Sequence, residues 1–299
     1  MSKAVQANLA MILFSIFIAG SFSLGRLALP YIDPLPLNAL RFLTAAIGLG
    51  LFVFGVQKQS FQRPQKIWRF AIIGALMAIY FVSMFIALTM TAPVSTSAVF
   101  TLLPLMSAFF GFLILRQRLT RLMGISLGIA AVGSVWVIFR GDFAAILAFD
   151  VGRGELIYLF GCACYALYAP LLRKFAGAEP IALLTFFNVT ASAIWITLAA
   201  SPDLLTMDWA AMPPIVWWVI AYLAIFPTAG SFFLIQFSSM HLPASKVTAY
   251  GYSVPILVIF YEGLLGNGWV SWSVAVGALV TILGLVILYL SAETKHPAG

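Results

Sequence analysis

The stretch TAPVSTSAVFTLLPLMSAFFGFLIL, Thr91–Leu115, has a counterpart about 150 residues later in HLPASKVTAYGYSVPILVIFYEGLL, His241–Leu265. Each is apolar enough to enter a bilayer, yet each carries hydroxyls in its first half and a proline near its centre. Counted from Ala92 and from Pro243, Pro104 and Pro255 are both the thirteenth residue. A proline inside a helix lacks the amide hydrogen and clashes with the carbonyl four residues earlier, here that of Phe100 or Gly251. Kinked helices with loosened backbone at mid-membrane are therefore expected. In lipid such backbone is tolerated where it lies against protein or lines a wet cavity. A purely structural kink is the competing reading.

The rest of the chain has the same character. Of 299 residues, 63% are hydrophobic and only 8% charged, a balance that a water-soluble domain could not carry without exposing large apolar surface. About 20 residues suffice to cross a hydrocarbon core about 30 Å thick. Ten such runs are read, near 8–27, 35–56, 68–88, 92–115, 122–139, 155–175, 180–200, 214–238, 243–265 and 271–291. The first run is longer than the apolar region of a signal peptide, about 7 to 15 residues, and is expected to remain as a membrane helix.

An even number of spans puts both termini on one side. Twelve of the 16 Lys and Arg fall on that side, against Arg26, Arg41, Arg140 and Arg153 on the other. Positive residues mark the cytoplasmic face, so both termini are expected in the cytoplasm of a multi-pass protein of the cell (inner) membrane. The net charge of +7 then reports orientation, and no nucleic-acid partner is expected. Cys162 and Cys164, two apart on one helix, point to different faces and cannot bridge each other. Nucleotide-binding, metal-binding and nucleophile motifs are missing from the sequence.

The two opening stretches belong to a longer repeat. Pro34 matches Pro180, Pro93 matches Pro243, Pro104 matches Pro255 and Gly133 matches Gly284, at offsets of 146 to 151. The chain reads as one five-helix unit used twice, over 1–145 and 146–299. Because five is odd, the copies are inverted in the membrane. The expected fold is all-α: ten transmembrane helices as two inverted five-helix repeats. Inverted repeats with interrupted helices recur in alternating-access carriers, whose sites lie near the midplane between the units. A duplicated structural membrane protein or a channel is the plainer reading.

The residues AGSFSLGR (19–26) and DPLPLNALRF (33–42), with the proline-rich fourth and ninth spans each followed by a short link and a glycine-bearing helix, resemble the EamA units of the drug/metabolite transporter superfamily. Within it the chain is most similar to the YddG-type aromatic amino-acid exporters. The Gly-Glu that often follows the fourth or ninth span is Arg116-Gln117 here and Asn267-Gly268 in the second half. The resemblance implies a transporter of small amphipathic metabolites.

The candidate substrate-binding residues are Tyr80, Ser83, Ser97, Phe100, Thr101, Lys246, Tyr250 and Ser253. Lys246, Tyr250 and Ser253 fall at i, i+4 and i+7, one face of a helix. An intramembrane lysine suits a substrate carboxylate, but Lys246 lies only about 5 Å into its span by helical rise, where it could also snorkel to the surface. Tyr80, Phe100 and Tyr250 could stack on an aromatic ligand. Pro93, Pro104, Pro243 and Pro255 are the candidate kink and gate residues, with the tight links before Pro93 and Pro243 as outer and inner gates.

Gly124 and Gly128 form a G-x-x-x-G in span five, and Gly277 and Gly284 lie seven apart in span ten; small residues of this kind suit close helix packing, so the last helix of each unit is read as scaffold or an oligomer contact, scaffold foremost. Arg41, with Asp33 nearby in sequence, is read as a structural pair or an interface anchor. Six tryptophans, 68, 209, 217, 218, 269 and 272, are read as interfacial. Among the acids only Glu262 falls inside a span, near its outer end, and it is the candidate proton site. Facilitated efflux is favoured over proton coupling through Glu262. A nucleotide-sugar or drug carrier is the other reading. Catalytic residues, metal and cofactor are not expected, nor is enzyme activity. The partners are a small-molecule substrate, amino acids foremost, and the lipid bilayer, with the protein working as a monomer and a dimer left open.

Overall fold

The structure, a computed structural model, describes residues 3–61, 64, 66–116, 121–148, 151–175, 180–239, 241–242, 247 and 250–293. Among them every regular element is helical and strands are absent. Seven helical stretches are long and apolar enough to cross a membrane: Lys3–Arg26, Pro34–Val56, Ile67–Met90, Pro93–Leu115, Arg153–Leu172, Ala182–Thr206 and Pro214–Ile235. Shorter apolar helices cover Gly124–Ile138 and Trp272–Gly284. The protein is a multi-pass membrane protein.

In chain order the helices are α1 (Lys3–Arg26), α2 (Pro34–Gly50), α3 (Ile67–Met90), α4 (Pro93–Phe100), α5 (Leu103–Leu115), α6 (Arg121–Ile138), α7 (Phe143–Ala148), α8 (Arg153–Lys174), α9 (Ile181–Thr206), α10 (Pro214–Leu223), α11 (Ser231–Ser239), α12 (Val254–Leu264) and α13 (Trp272–Glu293). α2 runs on into a π-helical stretch, Leu51–Val56, and a second one, Ala224–Gly230, joins α10 to α11. Local sequence explains the starts. Pro34, Pro93 and Pro214 each occupy the first turn of a helix after an extended residue, where the missing amide costs nothing and the fixed φ favours the helix.

Two spans depart from the kinked-helix expectation. The helix from Pro93 stops at Phe100 and restarts at Leu103, so Pro104 sits in the first turn of α5. Thr101 N and Leu102 N bond to Ala98 O and Val99 O, the tighter i−3 pattern, and Thr101 Oγ1 also donates to Ala98 O at 2.5 Å. The second copy has a comparable turn directly ahead of its proline. A 3-10 turn, Tyr250–Ser253, precedes α12, Ser253 Oγ donates to Tyr250 O at 2.7 Å, and Pro255 is in the first turn of α12. A proline ring that would collide with the preceding turn becomes harmless when the helix is broken ahead of it. A hydroxyl side chain then helps to close each break.

The helices pair in an exchanged pattern. α6 packs on α13 and α2 on α9. α3 packs on α8 while α11 packs on α1, and α5 packs on α8 while α12 packs on α1. Matching α1 to α8, α3 to α10–α11, α4–α5 to α12 and α6 to α13 turns each of these pairs into another of them or into itself. The α6–α13 crossing is backbone to backbone. A Cβ added at Gly133 would lie 2.5 Å from Thr281 N, and one added at Gly284 would lie 2.6 Å from Ala130 N. Gly124 and Gly128 take no part, since added Cβ atoms there would meet nothing within 4 Å. The predicted G-x-x-x-G faces outward, and the close-packing glycines lie further along the helix and on its partner. The six tryptophans are exposed.

Candidate functional site

Where α1, α3, α4 and α8 meet, aromatic rings and hydroxyls fill the interior. Tyr80 of α3 stacks on Tyr165 of α8 at 4.6 Å and 21°, and Tyr165 continues the column onto Tyr168 at 5.6 Å. Tyr158 Oη donates to Tyr80 Oη at 3.1 Å, and the Cys162 thiol is a second partner of Tyr158. Phe22 of α1 meets both Phe100 and Tyr158 edge-on, each at 6.1 Å. Ser83 Oγ donates to Tyr80 O at 2.9 Å and is backed by Gly161, where an added Cβ would be 1.8 Å from that oxygen. Only glycine lets α8 approach α3 so closely, and that approach brings the tyrosines together.

The break of the first half and the 3-10 turn of the second face each other here. A Cβ added at Gly251, in the 3-10 turn of the second half, would lie 3.6 Å from the Phe100 ring at the break of the first. Thr101, at the same break, also shares a hydrogen bond with Ser134 of α6, which ties the discontinuity to the α6–α13 crossing. Ser97 is fully buried but spends its hydroxyl on Val94 O, 2.8 Å away within its own helix.

Tyr250 does not join Tyr80. Its Oη donates to Asn8 Oδ1 at 2.8 Å, and its carbonyl accepts from Ser15 Oγ at 2.8 Å and from Ser253 Oγ. These bonds pin the second break to the first half of α1. The single helical face expected for Lys246, Tyr250 and Ser253 is interrupted, because Tyr250 and Ser253 belong to a 3-10 turn. Lys246 and Pro243 lie outside the described residues.

The links have matching anchors. Thr91 and Thr96 hydroxyls are 2.6 Å apart across the link before Pro93. That link packs on the start of α8, where a Cβ at Gly154 would meet Thr91 Cγ2 at 2.3 Å. At the other link Ser238 Oγ donates to Ala7 O of α1 at 3.1 Å, and Leu242 N bonds back to Ser238 O. Glu262, at the end of α12, is buried; its Oε2 accepts from Asn267 Nδ2 at 3.0 Å, while Oε1 finds no hydrogen-bond partner among the described residues.

Arg41 overturns its sequence reading. It is 0% exposed, whereas Asp33 is exposed, and neither an interface anchor nor an Asp33 pair describes it. Its Nε donates to Thr228 Oγ1 at 2.9 Å in the 224–230 π stretch. The guanidinium carbon lies 4.3 Å from the Phe81 ring centre, with Phe42 at 5.5 Å and Phe85 at 5.9 Å. Arg41 lies two turns inside α2 on its buried face. A hydropathy window shows the charge but not the direction in which the helix turns it.

A family model, the EamA-like transporter family, matches residues 5–139 and again 152–290. The chain belongs to that family. This EamA-like transporter is 26% identical over 291 residues, 95% of its length and 93% of the relative's, to the uncharacterized transporter YyaM of Bacillus subtilis (strain 168). A protein of solved crystal structure matches it with a TM-score of 0.67 at 20% identity, over 100% of this chain and 99% of the other; that likeness concerns the fold. Family and relative point to a transporter and away from an enzyme.

Proposed function

We propose that this EamA-like transporter exports small amphipathic metabolites, aromatic and other neutral amino acids foremost, by alternating access and facilitated efflux. In this reading its ten helices form two inverted five-helix repeats, 1–145 and 146–299, in the inner membrane with both termini cytoplasmic. The observation that carries the proposal is that the side-chain-free face of Gly251 is turned toward the Phe100 ring, 3.6 Å from where a Cβ would stand. The helix break of the first half and the 3-10 turn of the second lie beside a column of tyrosines, and irregular backbone of this kind is tolerated inside the bilayer where it lines a solute cavity. The exchanged helix pairs support motion of one unit against the other. The resemblance to YddG-type exporters supports aromatic cargo, which the ring faces of Tyr80, Phe100 and Tyr158 suit. Phe100 and Thr101 flank the first break, Ser97 lies one turn ahead of it, and Tyr80 with Ser83 is linked to it through Tyr158 and Phe22, an arrangement in keeping with a shared site.

A second reading, proton-coupled export, draws on the buried Glu262 and its Oε1, without a hydrogen-bond partner among the described residues, because an acid inside the membrane is a natural proton carrier. Liposomes containing the purified protein test both readings, with labelled tryptophan, phenylalanine and a sugar nucleotide followed with and without a pH gradient. Saturable amino-acid movement independent of the gradient is expected. Movement of the sugar nucleotide alone would sink the amino-acid assignment. Gradient-driven transport abolished by Glu262→Gln would favour the coupled reading.

A further inference from the structure

A guanidinium carries five N–H donors in a rigid fork. In Arg41 one is used, by Nε on Thr228, while Nη1 and Nη2 find no hydrogen-bond partner among the described residues although the side chain is fully buried. The three phenylalanine rings around it offer their π faces, which attract a cation, but they accept no strong hydrogen bond. The titratable groups whose charge would act on Arg41 are Tyr80 and Tyr222, both phenols and neither a carboxylate. Removing a cation from water without an anion costs several kcal/mol, so a charge kept here is matched to something that arrives.

The unpaired fork lies within the span and one turn from a cavity. Arg41 lies about 10 Å along the span from Pro34 at 1.5 Å per residue, inside the hydrocarbon region. A cavity of about 590 Å³ is lined by Thr44 and Ala45, in the next turn of α2, and by Ala229 beside Thr228; Arg41 lies behind this lining and is not part of it. The π-helical stretches 51–56 and 224–230 form two of its walls. Asn38, one turn earlier on the same face of α2, is also fully buried, and its Oδ1, an acceptor that suits the ammonium of an amino acid and not its carboxylate, finds no hydrogen-bond partner among the described residues.

We propose that Arg41 is the carboxylate-binding group of the substrate site, its two free Nη groups taking both oxygens of one carboxylate. Thr228 is a positioning residue that holds Nε and thereby aims the fork. Bidentate guanidinium–carboxylate pairs are among the strongest and most oriented hydrogen bonds available to a protein. This deepens the amino-acid reading above and rests on it for the identity of the cargo, but the recognised chemistry is any small aromatic carboxylate.

Ligand-induced thermal stabilisation of the purified protein in uncharged detergent tests the assignment, with phenylalanine, phenylalanine amide, phenethylamine and phenylacetate as ligands. Wild type is expected to be stabilised by the carboxylates and not by the amide or the amine, and Arg41→Gln to bind the carboxylates about ten- to a hundredfold more weakly. Should Arg41→Gln not fold, Arg41→Lys keeps the buried charge without the fork, and Thr228→Val keeps the fork without its anchor. Each is expected to weaken carboxylate binding while leaving the amide unaffected. Equal responses to phenylalanine and its amide in wild type, or carboxylate binding unchanged in Arg41→Gln, would overturn the proposal, as would a wild type that no carboxylate stabilises. Stabilisation by phenylacetate but not phenylalanine would keep the Arg41 site and remove the amino-acid reading instead.

Discussion

Replacing Gly133 with alanine tests whether the α6–α13 crossing is the fixed spine of the molecule. The new Cβ would stand 2.5 Å from Thr281 N and 2.6 Å from Gly277 O, both backbone atoms that no side-chain rotation can remove. An ordinary carbon contact is about 3.5 to 4.0 Å, so the helices must separate by about 1 Å. Overpacking of this kind typically costs about 1–3 kcal/mol, against a gain of up to about 1 kcal/mol when alanine replaces glycine within a helix. The net expectation is a loss of about 1–2 kcal/mol. Gly128→Ala is the internal control, because its Cβ would meet nothing within 4 Å and only the helix-propensity gain remains. Thermal unfolding of the two purified variants beside wild type, followed by size-exclusion of the surviving fraction, gives the ranking. Gly133→Ala is expected to unfold below wild type and Gly128→Ala at or above it. The opposite order would refute the backbone crossing.

Two further substitutions probe the tyrosine column and the second helix break. Tyr158→Phe removes the donor to Tyr80 and a partner of Cys162, which leaves buried polar groups unmatched at a cost of about 1–3 kcal/mol; unfolding at the wild-type temperature would contradict the bond. Asn8→Ala removes the acceptor of the Tyr250 hydroxyl, so amide hydrogen exchange across 250–253 is expected to quicken, and unchanged exchange there would show that the Asn8 bond does not hold the turn.

Much of this molecule was legible because membrane helices must be long, apolar and internally bonded. The runs around Ile67–Met90 and Pro93–Leu115 could hardly be anything else, and the matched pair Pro104 and Pro255 marked the two discontinuities before any coordinates. What the prolines do there was read one step short, since a kink and a break differ only in whether Thr101 and Leu102 keep the α-helical bonding register. Helix rotation was not legible at all. Tilt and rotation are set by neighbouring helices, so the sequence showed glycines at 124, 128, 133, 277 and 284 without showing that the first two face outward. Arg41 was misread for the same reason, because its place on the buried face depends on Thr228, 187 positions away.

The paired breaks also have an electrical consequence. A helix carries about half a positive charge at its N-terminus and half a negative charge at its C-terminus. α4 ends and α5 begins within three residues, so opposite partial charges lie side by side inside the membrane. At a distance they nearly annul, and a bare ion approaching through lipid gains little from them. At contact range a solute carrying both signs can satisfy both ends at once, a bias toward zwitterions that needs no ionised side chain.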